Sequence, residues 1–135
     1  MFTSRREVEI VWGDCDPANI VFYPRYFAWF DASTANHFAA AGLPKTELQR
    51  RFDVVGFPMV DTRAVFHVPS THGETVAIET EITRFGRSSF DVTHRLMRGD
   101  VLAVEGFEKR VLVGRSDGGG ICAVPVPDEV KALFA

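Results

Sequence analysis

Polar and apolar residues alternate through Glu7-Val8-Glu9-Ile10-Val11-Trp12, the period of a half-buried strand. Gly13-Asp14-Cys15-Asp16-Pro17-Ala18-Asn19 is dense in turn formers and ends it. A helix is predicted from about Tyr23 to Ala41. Pro24 suits its first turn, where a missing N–H costs nothing, and Gly42 and Pro44 mark its end. Tyr26, Phe27, Trp29, Phe30, Ala32, Ala35, Phe38, Ala39 and Ala40 make this helix apolar on nearly every side, so it is expected to be buried all round. A short amphipathic turn follows over Thr46–Phe52. The remainder reads as a meander of strands at Met59–Val68, Thr75–Phe85, Ser88–Arg98 and Val101–Val113, broken at Pro69–Gly73, Gly86-Arg87 and Gly99-Asp100. Within Thr75–Phe85, Val76, Ile78 and Ile82 share one face, and Ala77, Glu79, Glu81 and Thr83 the other. Ile121–Val124 is expected as an edge strand, and Asp128 as the cap of a short final helix.

One helix can be covered on all sides only if the sheet curls around it. The order strand, helix, meander therefore gives an α+β fold in a single domain over residues 1–135, with edge strands free to pair with a second copy. Composition narrows the partners. The 135 residues carry 15 Lys+Arg against 18 Asp+Glu, a net charge of −3 that does not suit the phosphate backbone of a nucleic acid. No apolar run approaches the roughly 18 residues of a membrane span, and no secretory signal opens the chain. Two cysteines make no disulfide framework, so a cytoplasmic, reducing setting is expected.

Candidate chemistry concentrates in the loop that enters the helix. A helix N-terminus presents unpaired amides and a partial positive charge. Pro24 has no N–H to give, which leaves the Tyr23 and Arg25 amides as the expected free donors. Asp16 lies just upstream, and a carboxylate beside an oxyanion donor suits acyl transfer. It would attack a thioester as nucleophile or orient a water, and the residues leave both routes open. Asp-x-Asp-Pro is equally a good Asx turn, which taken alone is the commoner use of such residues. Asp31 sits in the apolar helix with Phe27, Ala28, Thr34 and Ala35 as its near neighbours, none a charged partner. Buried there, it needs a donor from elsewhere or from a ligand hydroxyl. Arg87, in a strand–strand turn, is a candidate for a phosphate, although a solvated turn arginine is commoner. Cys15 lies between two aspartates that disfavour its thiolate and is rejected as a nucleophile. His37, His67, His72 and His94 are scattered without metal-ligand spacing and read as surface or packed histidines.

The loop Gly13-Asp14-Cys15-Asp16-Pro17-Ala18-Asn19-Ile20-Val21-Phe22-Tyr23-Pro24 closely resembles the motif of the 4-hydroxybenzoyl-CoA thioesterase family, which has the hotdog fold. The resemblance continues through Phe30-Asp31-Ala32-Ser33, Gly42-Leu43-Pro44 and Gly56-Phe57-Pro58-Met59-Val60. It is looser, yet collinear, through Val76–Thr80 and Arg87-Ser88-Ser89-Phe90, and so covers most of the chain. It implies a long central helix wrapped by a curved antiparallel sheet of five or six strands. It further implies a homodimer with a continuous sheet, dimers pairing into a homotetramer, and an active site at the dimer interface. By the same resemblance Asp16 matches the catalytic aspartate, Tyr23 the residue whose backbone N–H polarises the thioester carbonyl, and Asp31 a residue of the acyl pocket. The substrate implied is an aryl acyl-CoA, with coenzyme A part of the substrate and no metal or other cofactor needed. The basic turn that the family places near Arg87 is reduced here to Arg84-Phe85-Gly86-Arg87-Ser88, so phosphate contacts fall to Arg87 or to Arg63, Arg84 or Arg95. Alternatives are a short-chain aliphatic acyl-CoA thioesterase, a non-catalytic acyl-CoA binding module, and a hydratase, which calls for a histidine beside the carboxylate.

Overall fold

In the computed structural model, which describes residues 1–135, Thr75–Phe85, Ser89–Arg98 and Val101–Val111 pair as a meander, whereas Met59–Phe66, expected beside the first of them, pairs with the last, and Thr3–Glu9 takes the edge beside Thr75–Phe85. The strands are β1 (Thr3–Glu9), β2 (Met59–Phe66), β3 (Thr75–Phe85), β4 (Ser89–Arg98) and β5 (Val101–Val111), and they pair antiparallel in the order β1-β3-β4-β5-β2. Helix α1 (Pro24–Ala40) lies across the inner face of this sheet, with α2 (Lys45–Phe52) after it. A separate ribbon of β6 (Val113–Arg115) and β7 (Ile121–Ala123) precedes α3 (Asp128–Leu133). This is the α+β hotdog layout expected from the sequence.

Four local expectations are corrected. β1 begins at Thr3 and ends at Glu9, because its register against β3 runs from Thr3–Glu81 to Glu9–Thr75. Trp12 lies beyond it in a 3-10 turn, 79% exposed. The residues after Val111 leave the main sheet, so Ile121–Ala123 pairs with β6 instead of extending it. Asp128 is the first residue of α3, not its side-chain cap, because Pro127 occupies the cap position. Finally, α1 is not buried all round. Tyr26, Phe30, Ser33, Thr34, His37 and Phe38 face the sheet, while Ala28, Asp31, Ala32, Ala39 and Ala40 remain exposed. The open side of α1 is lined mainly by small residues and leaves the helix covered by one sheet face only.

The inner layer has an apolar cluster at each end and a polar belt between them. One cluster gathers Phe38, Phe57, Phe90, Val92 and Phe134, the other Tyr26, Phe30, Ile78, Leu96 and Val104. Each element crosses the boundary with a polar or small residue: Thr34 on α1, Thr80 on β3, His94 on β4, and Gly106 and Glu108 on β5. His94 stacks on Phe30 at 4.9 Å with the rings 7° from parallel. Gly106 makes this close approach possible, since a Cβ there would lie 2.6 Å from two carbons of the Phe30 ring.

The belt is hydrogen-bonded almost throughout, as burial requires. Thr34 Oγ1 donates to Glu108 Oε1 at 2.6 Å. That uses the one hydroxyl proton, so His94 Nε2, 3.2 Å from the same oxygen, is the donor on that side. His94 Nδ1 then accepts from Thr80 at 2.8 Å. Arg110 Nε donates to Glu108 Oε1 at 2.9 Å, and its Nη2 reaches Asp31 Oδ1 at 2.7 Å. Burial works to raise the Glu108 pKa, but His94, 3.3 Å away, and the hydrogen bonds from Arg110 and Thr34 bring it below the usual carboxylate value.

Candidate active site

The loop before α1 is folded by its own backbone. A 3-10 turn at Trp12–Asp14 is closed by the Asp14 carboxylate, which accepts the Val11 N–H at 3.0 Å. Cys15 and Val21 then form an isolated bridge. Between them the Asp16 N–H donates to Ile20 O at 2.9 Å and the Asn19 N–H to Asp16 O at 2.8 Å. Asn19 adopts φ 64°, a left-handed conformation that asparagine tolerates better than most residues. Asp16 is thereby set at the neck of a short hairpin whose tip is Pro17–Asn19.

A second segment forms the facing wall. The Val21 N–H donates to Ser70 O at 2.9 Å and the Thr71 hydroxyl to Asn19 O at 2.7 Å. His67 and Val68 both donate their N–H groups to Ala103 O on β5, at 2.8 and 3.1 Å. The wall is therefore fixed to the sheet on one side and to the loop on the other. Between the two walls lies a cavity of about 440 Å³ lined by Asp16, Tyr23, Tyr26, Phe66, His67 and neighbouring apolar residues. Its character is apolar with a few convergent polar groups, the usual make-up of a small-molecule site. By contrast, the groove on the outer face of the sheet around Thr3, Arg5, Glu79 and Arg95 has no hydrophobic lining and offers nothing to an acyl chain.

Asp16 and Tyr23 meet at this cavity. Asp16 is half-buried. Its Oδ1 accepts the Ala18 N–H at 2.9 Å, an Asx turn, which fixes the side chain. Its Oδ2 takes no hydrogen bond from the chain. The Tyr23 N–H likewise donates to no acceptor in the protein. Arg25 is a correction: its N–H donates to Phe22 O at 2.9 Å, so of the two amides expected to be free only that of Tyr23 is. Tyr23 is the N-cap of α1, without a side-chain cap, so the positive end of the helix is directed at this point.

The other two predicted site residues lie elsewhere in the chain. Asp31 is 58% exposed at its side chain and paired with Arg110, which is 4% exposed. The expectation of a buried, partnerless carboxylate is thus corrected: the helix face that carries Asp31 is open, and its donor comes from β5. Eight residues of helix, about 12 Å, separate Tyr23 from Asp31. Asp31 lines a different cavity of about 360 Å³, with Lys45, Gly56, Phe57 and Arg110. Arg87 is exposed in the β3–β4 turn, where its carbonyl accepts the Val126 N–H, and it lines neither cavity. Of the other arginines considered for phosphate, Arg63 lies over the Phe107 ring at 4.0 Å.

His67 is the site residue that sequence reading passed over. No histidine lies near Asp16 along the chain, and only the pairing of the segment after β2 with β5 brings this one to the same cavity. His37 and His94, as expected, are packed, both 0% exposed. Burial, and secondarily His94, lowers the His37 pKa to about 4.

Comparison with known proteins follows the same outline. The family model described as the thioesterase-like superfamily matches residues 10–134. The 4-hydroxybenzoyl-CoA thioesterase of Pseudomonas sp. (strain CBS-3) is 36% identical over 138 residues, covering 97% of this chain and 95% of that protein. A solved structure of the Pseudomonas enzyme superposes with a TM-score of 0.88 at 32% identity, over 97% of this chain and 98% of the other. The structure of a gentisyl-coenzyme A thioesterase gives a TM-score of 0.84 at 30% identity, over 98% of this chain and 100% of the other.

Proposed function

The chain belongs to the thioesterase-like superfamily as a thioester hydrolase, and we propose that it acts on an aryl-CoA thioester of the benzoyl type, releasing the free acid and coenzyme A. The observation that carries this reading is one cavity holding both a fixed carboxylate with a free oxygen and an amide with no acceptor. A thioester carbonyl seated there has Asp16 on its carbon and the Tyr23 N–H on its oxygen. Asp16 adds to the carbon to give an acyl-aspartyl anhydride that water then hydrolyses, or it directs the water itself. Charge developing on the carbonyl oxygen is stabilised by a donor that needs no reorganisation, worth about 2.7–4 kcal/mol in the transition state. An aryl group fits the aromatic lining of Tyr26 and Phe66. Neither route calls for a metal or a cofactor beyond the coenzyme A of the substrate.

In this reading Asp31 binds a hydroxyl on the acyl ring. Its separate cavity within one chain supports assigning it to the site of a second copy. Edge strands β1 and β2 each have one free side, and β2 exposes Val60, Val65 and Phe66. Pairing of such an edge with its copy gives a homodimer with a continuous sheet, and dimers associate into a homotetramer. Arg87 is assigned to the nucleotide phosphates from its exposed turn. Both thiols, Cys15 and Cys122, are free, in keeping with a cytoplasmic setting.

The test is a thiol-release assay across benzoyl-, hydroxybenzoyl- and short aliphatic acyl-CoAs, with Asp16→Asn as control. Aryl thioesters are expected to be preferred, and Asp16→Asn to bind them unchanged while turning over several orders of magnitude more slowly. Near-normal turnover by Asp16→Asn removes that carboxylate from the mechanism. Binding without release by the unmodified protein makes it a binding module.

A further inference from the structure

We infer that His67 is a further catalytic residue, the proton donor to the departing thiol. The inference rests on the reading of Asp16 and Tyr23 given above. Its ground is placement: His67 lines the same cavity as those two residues, on the opposite wall. Its main chain is fixed by the hydrogen bond to Ala103, so the ring projects from the sheet edge and not from a free loop. The side chain is 43% exposed, and its Nε2 is 3.9 Å from Glu105 Oε2. An imidazole beside a carboxylate is a setting in which histidine serves as acid and then base. No other histidine lines this cavity: His37 and His94 are in the core.

The chemistry has a use for that proton. When Asp16 adds to the thioester carbon, the π electron pair moves to the oxygen held by the Tyr23 N–H. As the carbonyl re-forms, the C–S bond breaks with its electron pair on sulfur. His67, as imidazolium, gives a ring proton to that sulfur and becomes neutral, so the thiol leaves uncharged. Water then adds to the acyl carbon of the anhydride and gives a proton to the neutral imidazole. The C–O bond to Asp16 breaks, which returns the carboxylate and the imidazolium and releases the acid. If Asp16 directs water instead, the same C–S bond breaks and the same proton is needed.

The experiment compares two thioesters of one aryl acid, differing only in the leaving thiol. One leaves as coenzyme A, an alkyl thiol that is a poor thiolate at neutral pH. The other leaves as a nitrothiophenol, which departs as the anion without a proton. His67→Gln is expected to lower kcat/KM on the CoA ester by about 10²-fold, the lower end of what a positioned acid contributes. On the nitrothiophenyl ester it should stay within about threefold of the unmodified protein. His67→Asn should behave alike, and thermal unfolding confirms that both variants fold. Equal losses on the two esters, or no loss on either, overturn the assignment. Asp16→Asn run in parallel separates this from failure of the underlying reading. It should lose activity on both esters, and if it keeps activity on both, the reading of the cavity falls and the role of His67 with it.

Discussion

Tyr23→Pro removes the single atom on which the oxyanion argument rests, and does so at little structural cost. Proline has no N–H and fixes φ near −65°; Tyr23 already has φ −53°. Its amide donates to nothing in the chain, so no internal hydrogen bond is lost, and its carbonyl still accepts from Tyr26 at 3.1 Å. The substitution also removes the phenol, so the proper reference is Tyr23→Ala, which lacks the ring and keeps the amide. The side chain is largely exposed and packs mainly on Phe22, so its loss should change stability little. One preorganised donor is worth about 2.7–4 kcal/mol, which is roughly 10²–10³ in kcat. The assay is steady-state thiol release from an aryl-CoA, comparing Tyr23→Pro with Tyr23→Ala, with thermal unfolding as a check on folding. Tyr23→Pro should fall below Tyr23→Ala by that factor in kcat, with KM nearly unchanged. If both variants are folded and turn over within about threefold of each other, the amide does not hold the oxyanion.

Four further outcomes follow from the core and the second cavity. Asp31→Asn should change the ratio of activity on hydroxybenzoyl-CoA to that on benzoyl-CoA, while costing less than about 1 kcal/mol of stability because the Asp31 end of its ion pair is exposed and the buried Arg110 keeps Glu108 as partner; equal effects on both substrates make Asp31 structural. Arg110→Met leaves Glu108 buried without its cation, a change that typically costs about 3–5 kcal/mol. For a chain of this size that lowers Tm by about 10 °C or more, and Glu108→Gln added to it should recover part of the loss; a double variant no more stable than Arg110→Met refutes the unpaired-charge account. The folded Glu108 pKa lies below its ordinary 4.5. Its stabilisation is therefore present above that pH and is lost as pH falls through the folded value, and Arg110→Met should weaken this acid dependence. His37 has the opposite chemistry and the same direction. Folded, it titrates at about 4 against 6.5 when free, so between those values only the unfolded chain holds the proton and stability rises with pH. His37→Asn should flatten Tm against pH over that window, and an unchanged slope shows that His37 is not the group responsible.

Elements and their order were legible from the sequence because each depends on neighbours a few residues apart. Alternation marked β3, Pro24 and Gly42 bracketed α1, and the turn formers from Gly13 to Asn19 marked the loop that carries Asp16. The loop was also the part of the candidate site that local chemistry could locate, since Asp16 and Tyr23 are near in sequence and a helix start has free donors of necessity. The misreadings share one cause. An apolar helix was taken as covered on all sides, but apolarity does not tell which side a sheet will occupy, and the alanines of α1 remain open. The pairing of Asp31 with Arg110 spans 79 residues of sequence separation. The polar belt needs residues from four elements to fall at the same level, which strand register and the seating of α1 on the sheet set. The free state of the Tyr23 amide, as against that of Arg25, depends on whether Phe22 turns its carbonyl back. His67 reaches the cavity only because the chain after β2 is hydrogen-bonded to Ala103. Local sequence determined which segments are helix and strand through short-range periodicity and turn chemistry. Which side chains meet, and which polar groups are left without a partner, was decided by long-range packing and pairing, because those distances exist only once the sheet has closed over the helix.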